Sequence, residues 1–374
     1  MSRVLLAGLG VRGRQWADAI ERSKLTSLAG TMDVNPAAVG NGETPSFTSL
    51  ELALDETKPD LVVLATPPAV HAEQAMAALD RGIPVLCEKP LCETAAEAAE
   101  LARHARDRAT MLLVGMNFRY LPVSRRLRRL VAEESLGSPM FSLFKYVRNR
   151  DGRRPDLNSF PLEMDQPMLY EQSVHHVDVM RYVLGRELLS VQARTWNPPT
   201  SVYRDDSCVA AVLEFEGGLM VDYLGTWTSG TNRIAFDWRI DFEQGVASQT
   251  DQFGSLSIAR LDPSAAVSGP LFNKSVEPPR RVRLPPVAPF RTETLDLLEH
   301  AVRAARGDEV PGPTAVDHLS TLVALDAIVA SSRTGTRVVV AELARSLGLA
   351  DVIGTGSTDR ARQAKNHGHR PRGN

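Results

Sequence analysis

Gly8-Leu9-Gly10-Val11-Arg12-Gly13 follows the apolar run Val4-Leu5-Leu6-Ala7 and opens a helix-patterned stretch, Arg12 to Ser23. A G-x-G-x-x-G spacing between a strand and a helix is the context in which this motif carries meaning. The glycines have separate tasks: Gly8 permits the tight turn, Gly10 lets the backbone approach a pyrophosphate, and Gly13 lets the helix pack close on the strand. Phosphates would rest on the positive helix end. The glycines alone are also compatible with a tight turn that binds nothing. Asp33 adds to them, because it closes the second strand-like run twenty residues after Gly13. A carboxylate there accepts hydrogen bonds from both ribose hydroxyls and repels a ribose phosphate, which favours NAD over NADP. Val34-Asn35-Pro36-Ala37 contains no lysine or arginine to partner such a phosphate.

Outward from the motif, strand-like runs alternate with helical patterns as far as Val114. The runs are Val4 to Ala7, Leu28 to Met32, Leu61 to Ala65, Val85 to Cys87 and Met111 to Val114. The helical patterns, with apolar residues three and four apart, are Arg12 to Ser23, Ser49 to Glu56, Val70 to Arg81 and Thr94 to Arg106. This alternation predicts an α/β doubly wound parallel sheet of the Rossmann kind. Ligands bind such sheets at the carboxyl edge of the strands. Thr66-Pro67-Pro68 lies at that edge, and His71, one turn on, either caps locally or lines the nicotinamide pocket. Glu88-Lys89-Pro90 ends another strand at the same edge. Pro90 restrains Lys89 to extended geometry and permits a cis bond, either of which aims the lysine.

Beyond Tyr120 the rhythm changes to a basic helix, Val123 to Glu133, followed by longer strands. Ser207 to Phe215, Glu216-Gly217-Gly218 and Leu219 to Trp227 read as a hairpin. Phe141 to Val147, Ser190 to Thr195, Ile234 to Phe242 and Ser255 to Ala259 are further strand candidates, and Thr292 to Arg306 and Ala315 to Ser331 are helices. An α+β domain with an open, largely antiparallel sheet follows. The expected domains are residues 1–118, 119–354 and a basic, core-poor tail over 355–374. The uncovered sheet face predicts a homodimer or homotetramer.

On the helix-patterned segment Leu169 to Leu184, Glu171, His175 and Asp178 fall at steps of four and three and share one face. A polar outer face is the plain alternative. Three ionisable groups in register also suit chemistry: His175 titrates near working pH and can take a hydroxyl proton, while Lys89 can stabilise a developing alkoxide. Glu171 can orient the imidazole or accept a substrate hydroxyl, and Asp178 can hold the other side. Glu171 and His175 lack further well-spaced ligands, so no metal is expected.

Of 374 residues, 43% are hydrophobic and 24% charged, enough for two cores. Lys+Arg 43 against Asp+Glu 45 leaves a net charge of -2, which offers no field for nucleic acid or an anionic membrane. No run is expected to span a bilayer. Cys87, Cys92 and Cys208 are too few and irregular for a disulfide framework, and with no cleavage signal in Met1 to Ala7 a cytoplasmic protein is expected.

These residues resemble the Gfo/Idh/MocA oxidoreductase family over roughly Arg3 to Val340. The resemblance is carried by Gly8 to Gly13, Thr66-Pro67-Pro68-Ala69-Val70-His71, Glu88-Lys89-Pro90, Val114-Gly115-Met116-Asn117-Phe118-Arg119-Tyr120 and Glu171-Gln172-Ser173-Val174-His175-His176-Val177-Asp178. It implies an NAD- or NADP-binding domain, sugar or cyclitol substrates, and Lys89 and His175 as the catalytic pair. It further implies cofactor contacts from Val11, Arg12, Thr66, Pro67, His71, Glu88, Lys89 and Asn117. A sugar site would draw on Arg119, Tyr120 and Trp227 beside Glu171, His175 and Asp178, with core packing an equal reading for Trp227 and Tyr120. This chain has Glu171 and Ser173 where the family pattern has Asp and Gly or Thr. That departure motivates a second reading, in which retained NAD permits elimination, epimerisation or glycoside cleavage by transient oxidation. A non-catalytic NAD-sensing regulator is a third reading, and the presence of both Lys89 and His175 argues against it.

Overall fold

The computed structural model describes residues 1–38, 44–154, 157, 159–261 and 278–354, and these fall into two compact units. The expected basic tail lies outside the described residues. The first unit holds β1 (Ser2–Ala7), α1 (Val11–Arg22), β2 (Thr26–Met32), β3 (Ser46–Phe47), α2 (Leu50–Thr57), β4 (Leu61–Leu64), α3 (His71–Leu79), β5 (Val85–Cys87), α4 (Ala95–Asp107) and β6 (Leu112–Val114). All pairings among its six strands are parallel, in the order β3-β2-β1-β4-β5-β6. Continuous burial of Leu61–Leu64 and Val85–Cys87 shows why these strands read as apolar runs: both faces of the sheet are covered. α4 begins with a capping box, in which Thr94 and Glu97 satisfy each other's backbone N–H groups.

The second unit begins with α5 (Pro122–Ala132) and β7 (Pro139–Val147), then a π-helical turn over Met168–Ser173 leads into α6 (Val174–Leu184). Strands β8 (Leu188–Trp196), β9 (Cys208–Phe215), β10 (Leu219–Thr226), β11 (Ala235–Phe242), β12 (Gly245–Asp251), β13 (Gly254–Arg260) and β14 (Arg280–Arg281) follow. The chain continues through α7 (Thr292–Ala305), α8 (Ala315–Thr334), β15 (Val338–Val339) and α9 (Val340–Ser346). The second sheet runs β14-β13-β12-β11-β7-β10-β9-β8-β15, antiparallel except where β10 pairs with β7. Phe144, Tyr146, Tyr223 and Trp238 point to its buried face, while Leu143, Leu189 and Val212 point to an exposed one.

Two expectations are corrected. Residues 288–323 and 344–354 belong to the first unit, not to a second domain running to residue 354. α7 packs on α1 there, Val114 N donates to Pro313 O at 2.9 Å, and Leu113 bridges Thr314. α8 is long and apolar enough to cross a membrane, contrary to the expectation that no run is. Its apolar window is 72% buried inside the protein, as in the core helix of a globular fold.

The glycine loop shows how tightly the first unit is drawn. Gly8 has φ +89, and a Cβ on it would lie 2.5 Å from Ala65 O; a Cβ on Gly13 would lie 1.9 Å from Gly8 O. Gly10, the N-cap of α1, has nothing within 4 Å of that position. Gly13→Ala is therefore expected to cost about 1–3 kcal/mol of stability. Gly10→Ala should stay within about 0.5 kcal/mol. Urea unfolding of the two variants checks the contrast.

Candidate active site

In the first unit the loop between β1 and α1 presents a helix N-terminus with no side-chain cap, and the open space at Gly10 lies beside it. Uncapped N–H groups at a positive helix end suit a pyrophosphate. Val11 is exposed there. Asp33, just past β2, accepts from Leu9 N at 2.8 Å and from Asn35 N at 2.9 Å, so it braces the glycine loop while its remaining lone pairs can meet ribose hydroxyls. These residues fit a dinucleotide.

Glu88 lies beneath the loop. Its Oε1 accepts from Arg12 Nε at 2.5 Å and from Trp16 Nε1 at 2.8 Å, and its Oε2 accepts from Lys89 N at 3.2 Å. Arg12 also donates to Gln15 and to Thr294 Oγ1, and it lies over the Trp16 ring. Arg12 and Glu88, both expected at the cofactor, thus hold each other. Lys89 is half-buried at the carboxyl end of β5, and its bond to Pro90 is cis. His71 is fully buried: Nδ1 lies 2.9 Å from Pro90 O and Nε2 2.8 Å from Thr66 O. The imidazole clamps the Thr66-Pro67 turn to the segment after Lys89. Thr66 Oγ1 donates to Gln74, and Pro67 is exposed. Asn117 is buried, with Nδ2 3.4 Å from Glu293 Oε1. Burial raises the pKa of Glu293, whose Oε1 also accepts from Phe290 N.

The second unit carries the histidine. The expected single α-helix over Leu169 to Leu184 is corrected, because residues 168–173 form a π turn and the α register starts at Val174. Ser173 Oγ donates to Met168 O, five residues back, and receives the Tyr223 hydroxyl at 2.6 Å, which fixes the wider turn. The four-residue α step from Glu171 to His175 does not apply across it. α6 has no polar outer face either; nearly every residue on it is buried. His175 is 8% exposed and stacks on Phe118 with centroids 4.4 Å apart. Glu171 is half-buried. Asp178 is 1% exposed and takes Arg119 in a two-pronged pair, 2.7 Å from Nε and 2.5 Å from Nη2. Arg119 and Asp178 thus serve each other. Tyr120 is buried beneath the Arg125 guanidinium, and Trp227 is buried beneath Arg150.

The sequence reading assigned nothing to His176, which is fully enclosed: Nδ1 lies 2.9 Å from the Tyr223 hydroxyl, and Nε2 lies 3.1 Å from Gln172 Nε2. Burial pushes its pKa down to about 3. Phe118, Trp16, Glu293 and Tyr223 also went without roles, since their partners lie far along the chain.

Residues 2–116 match the model of an oxidoreductase family with an NAD-binding Rossmann fold, and residues 124–248 match the GFO/IDH/MocA C-terminal domain. Inositol 2-dehydrogenase of Mycolicibacterium gilvum is 30% identical over 348 residues, 89% of this chain and 91% of that protein. D-xylose 1-dehydrogenase (NADP(+)) 2 of Haloferax volcanii is 26% identical over 89% of this chain and 97% of its own length. Among solved structures, levoglucosan dehydrogenase with NADH and levoglucosan superposes with TM-score 0.77 at 19% identity, covering 91% of this chain and 99% of that one. The protein belongs to the Gfo/Idh/MocA family and is an NAD-binding oxidoreductase.

Two outcomes follow from the second unit. Arg119→Met should cost about 3–5 kcal/mol by stranding the buried Asp178, and Arg119→Met with Asp178→Leu should recover most of it. A double-mutant cycle in urea checks this. For His176, an unfolded value near 6.5 and a folded value of about 3 mean that only the unfolded chain takes the proton between them. Stability should therefore fall as pH drops from 6.5 to 3, by up to about 1.4 kcal/mol per pH unit from this group. His176→Gln should lessen that slope in urea midpoints measured against pH.

Proposed function

We propose that the protein oxidises a secondary alcohol of a cyclic polyol, sugar or sugar derivative. The observation that carries this reading is Lys89 at the strand end, its backbone fixed by the same Glu88 carboxylate that anchors the helix of the dinucleotide loop. NAD, when bound, supplies the hydride acceptor. His175 takes the hydroxyl proton, its ring plane held by Phe118, and Lys89 stabilises the developing alkoxide. Glu171 accepts a second substrate hydroxyl or orients the imidazole. Relatives named for inositol and xylose support the substrate class. Glu171, set in a π turn, also favours a second reading: chemistry that retains NAD and passes through transient oxidation, detected as product without net nicotinamide reduction. Three buried, unbridged thiols support a reducing cytoplasm, and exposed Leu143, Leu189 and Val212 support a homodimer or homotetramer.

Lys89→Met and His175→Asn should each lower kcat by about 10²–10⁴-fold. His175→Asn should leave NADH affinity in place, as followed by fluorescence titration. Absence of nicotinamide reduction or oxidation across a panel of inositols, aldoses and their ketones would count against the reading.

A further inference from the structure

Beyond β5 the backbone loses its ladder. Glu88 N still donates to Leu64 O at 2.8 Å, but from Pro90 to Glu93 no backbone–backbone hydrogen bond forms among the described residues, and regular structure resumes with the Thr94 cap of α4. The segment is nonetheless enclosed, with Pro90, Leu91 and Cys92 buried. Buried peptide groups need partners, and here side chains supply them. Lys89 N donates to Glu88 Oε2 at 3.2 Å. Pro90 O lies 2.9 Å from Nδ1 of His71, and Leu91 N donates to Nε2 of His318 at 3.3 Å. Pro90 O and Leu91 N belong to one planar peptide unit, so two fully buried imidazoles hold that plane by its opposite sides.

His318 stands in the first turn of α8, and the start of α8 is pinned to the sheet. Val114 N at the end of β6 donates to Pro313 O at 2.9 Å, and Leu113 bridges Thr314. Thr314 Oγ1 accepts from Asp317 N and Asp317 Oδ2 accepts from Thr314 N, each at 3.2 Å, which closes the first turn. Since β6 pairs with β5, the strand beside Lys89 also fixes the helix that carries His318. Leu91 gives the hydrogen, so Nε2 of His318 presents its lone pair. An apolar side chain in its place would strand a buried N–H one peptide from Lys89.

We propose that His318 is a positioning residue for Lys89: acting with His71, it holds the Pro90–Leu91 peptide and thereby the direction in which the lysine leaves the strand end. The inference rests on the oxidoreductase reading, in which Lys89 stabilises the developing alkoxide, and adds a residue to it. Stabilisation of a developing charge depends on a fixed donor, and small displacements weaken it. Slack in the clamped peptide therefore slows the reaction, while the dinucleotide loop stays tied through Arg12 and Glu88.

Three variants test it: His318→Leu removes the acceptor, His318→Gln places an amide oxygen where Nε2 lies, and Thr57→Val deletes a buried hydroxyl that donates to Ala53 O at 2.6 Å on α2. His318→Leu should lower kcat for polyol oxidation by about tenfold or more with NADH affinity held within about threefold, and His318→Gln should recover most of the loss. Thr57→Val should lower the urea midpoint and leave kcat unchanged. Competitive acetylation with peptide mass spectrometry reads the lysine directly: His318→Leu should change the reactivity of Lys89 by about threefold or more against exposed Lys24 and Lys58, and His318→Gln should reverse the change. Should His318→Leu fail to fold, His318→Asn, whose amide stops short of Nε2, takes its place. A kcat within about twofold of the parent, a loss that His318→Gln leaves in place or Thr57→Val reproduces, a matching loss of NADH affinity, or unmoved Lys89 reactivity would overturn the inference. Any of these in a protein that turns over a polyol leaves the oxidoreductase reading standing. Lys89 reactivity shifted by His318→Leu and restored by His318→Gln, in protein that reduces no nicotinamide with any polyol, keeps the clamp and removes that reading.

Discussion

One buried carboxylate sets the geometry of the first unit. Glu88 receives Arg12 and Trp16 from the helix of the glycine loop and the backbone N–H of Lys89 from its own strand end. Gly115 has no side chain to intrude, because a Cβ there would meet the Glu88 carboxyl at 3.2 Å. The dinucleotide loop and the lysine are thus tied to a single group, and the tie extends through Arg12 to Thr294 on α7. A charge buried with several donors is costly to strip of them, so the arrangement tolerates little drift. His71 adds a second tie, between the Thr66 turn and the carbonyl of Pro90.

The second unit uses buried polarity differently. Its functional helix is enclosed, so the groups on it must satisfy one another: Asp178 with Arg119, His176 with Tyr223, and Tyr223 with Ser173. The low pKa of His176 keeps that ring neutral; because Tyr223 gives its proton to Ser173, the ring donates from Nδ1 to the tyrosine oxygen and accepts from Gln172 at Nε2, without placing a charge in the core. Two adjacent histidines therefore have different work. His175 lies at the edge of the packed region against Phe118, and His176 is part of the packing.

Much of this was legible in the residues because it is local. β5 has the bounds read from Val85 to Cys87, and the Glu216-Gly217-Gly218 hairpin joins β9 to β10 as its turn residues indicate. Local pattern could not reach the rest. β12 is Gly-Val-Ala-Ser-Gln-Thr-Asp, which has too few apolar residues to declare itself and is held by its neighbours β11 and β13. The π turn depends on Tyr223, fifty residues away, and Arg12 and Glu88 meet across seventy-six. Nor does sequence spacing tell that α6, with His175 and Asp178, is almost wholly buried, since the residues covering it come from α5 and β7 before it and from β10 after it. For the same reason α7 read as part of a second domain, although it packs on α1.

The central claim is that hydride leaves a carbinol carbon of the substrate while side chains of the protein manage the proton. The most direct test incubates the protein with NAD and a polyol deuterated at its carbinol carbons, then analyses the nicotinamide by mass spectrometry and NMR. The account predicts one deuterium per turnover at C4 of the reduced nicotinamide. Substrate converted to product with no deuterium in the nicotinamide pool, bound or free, would contradict it.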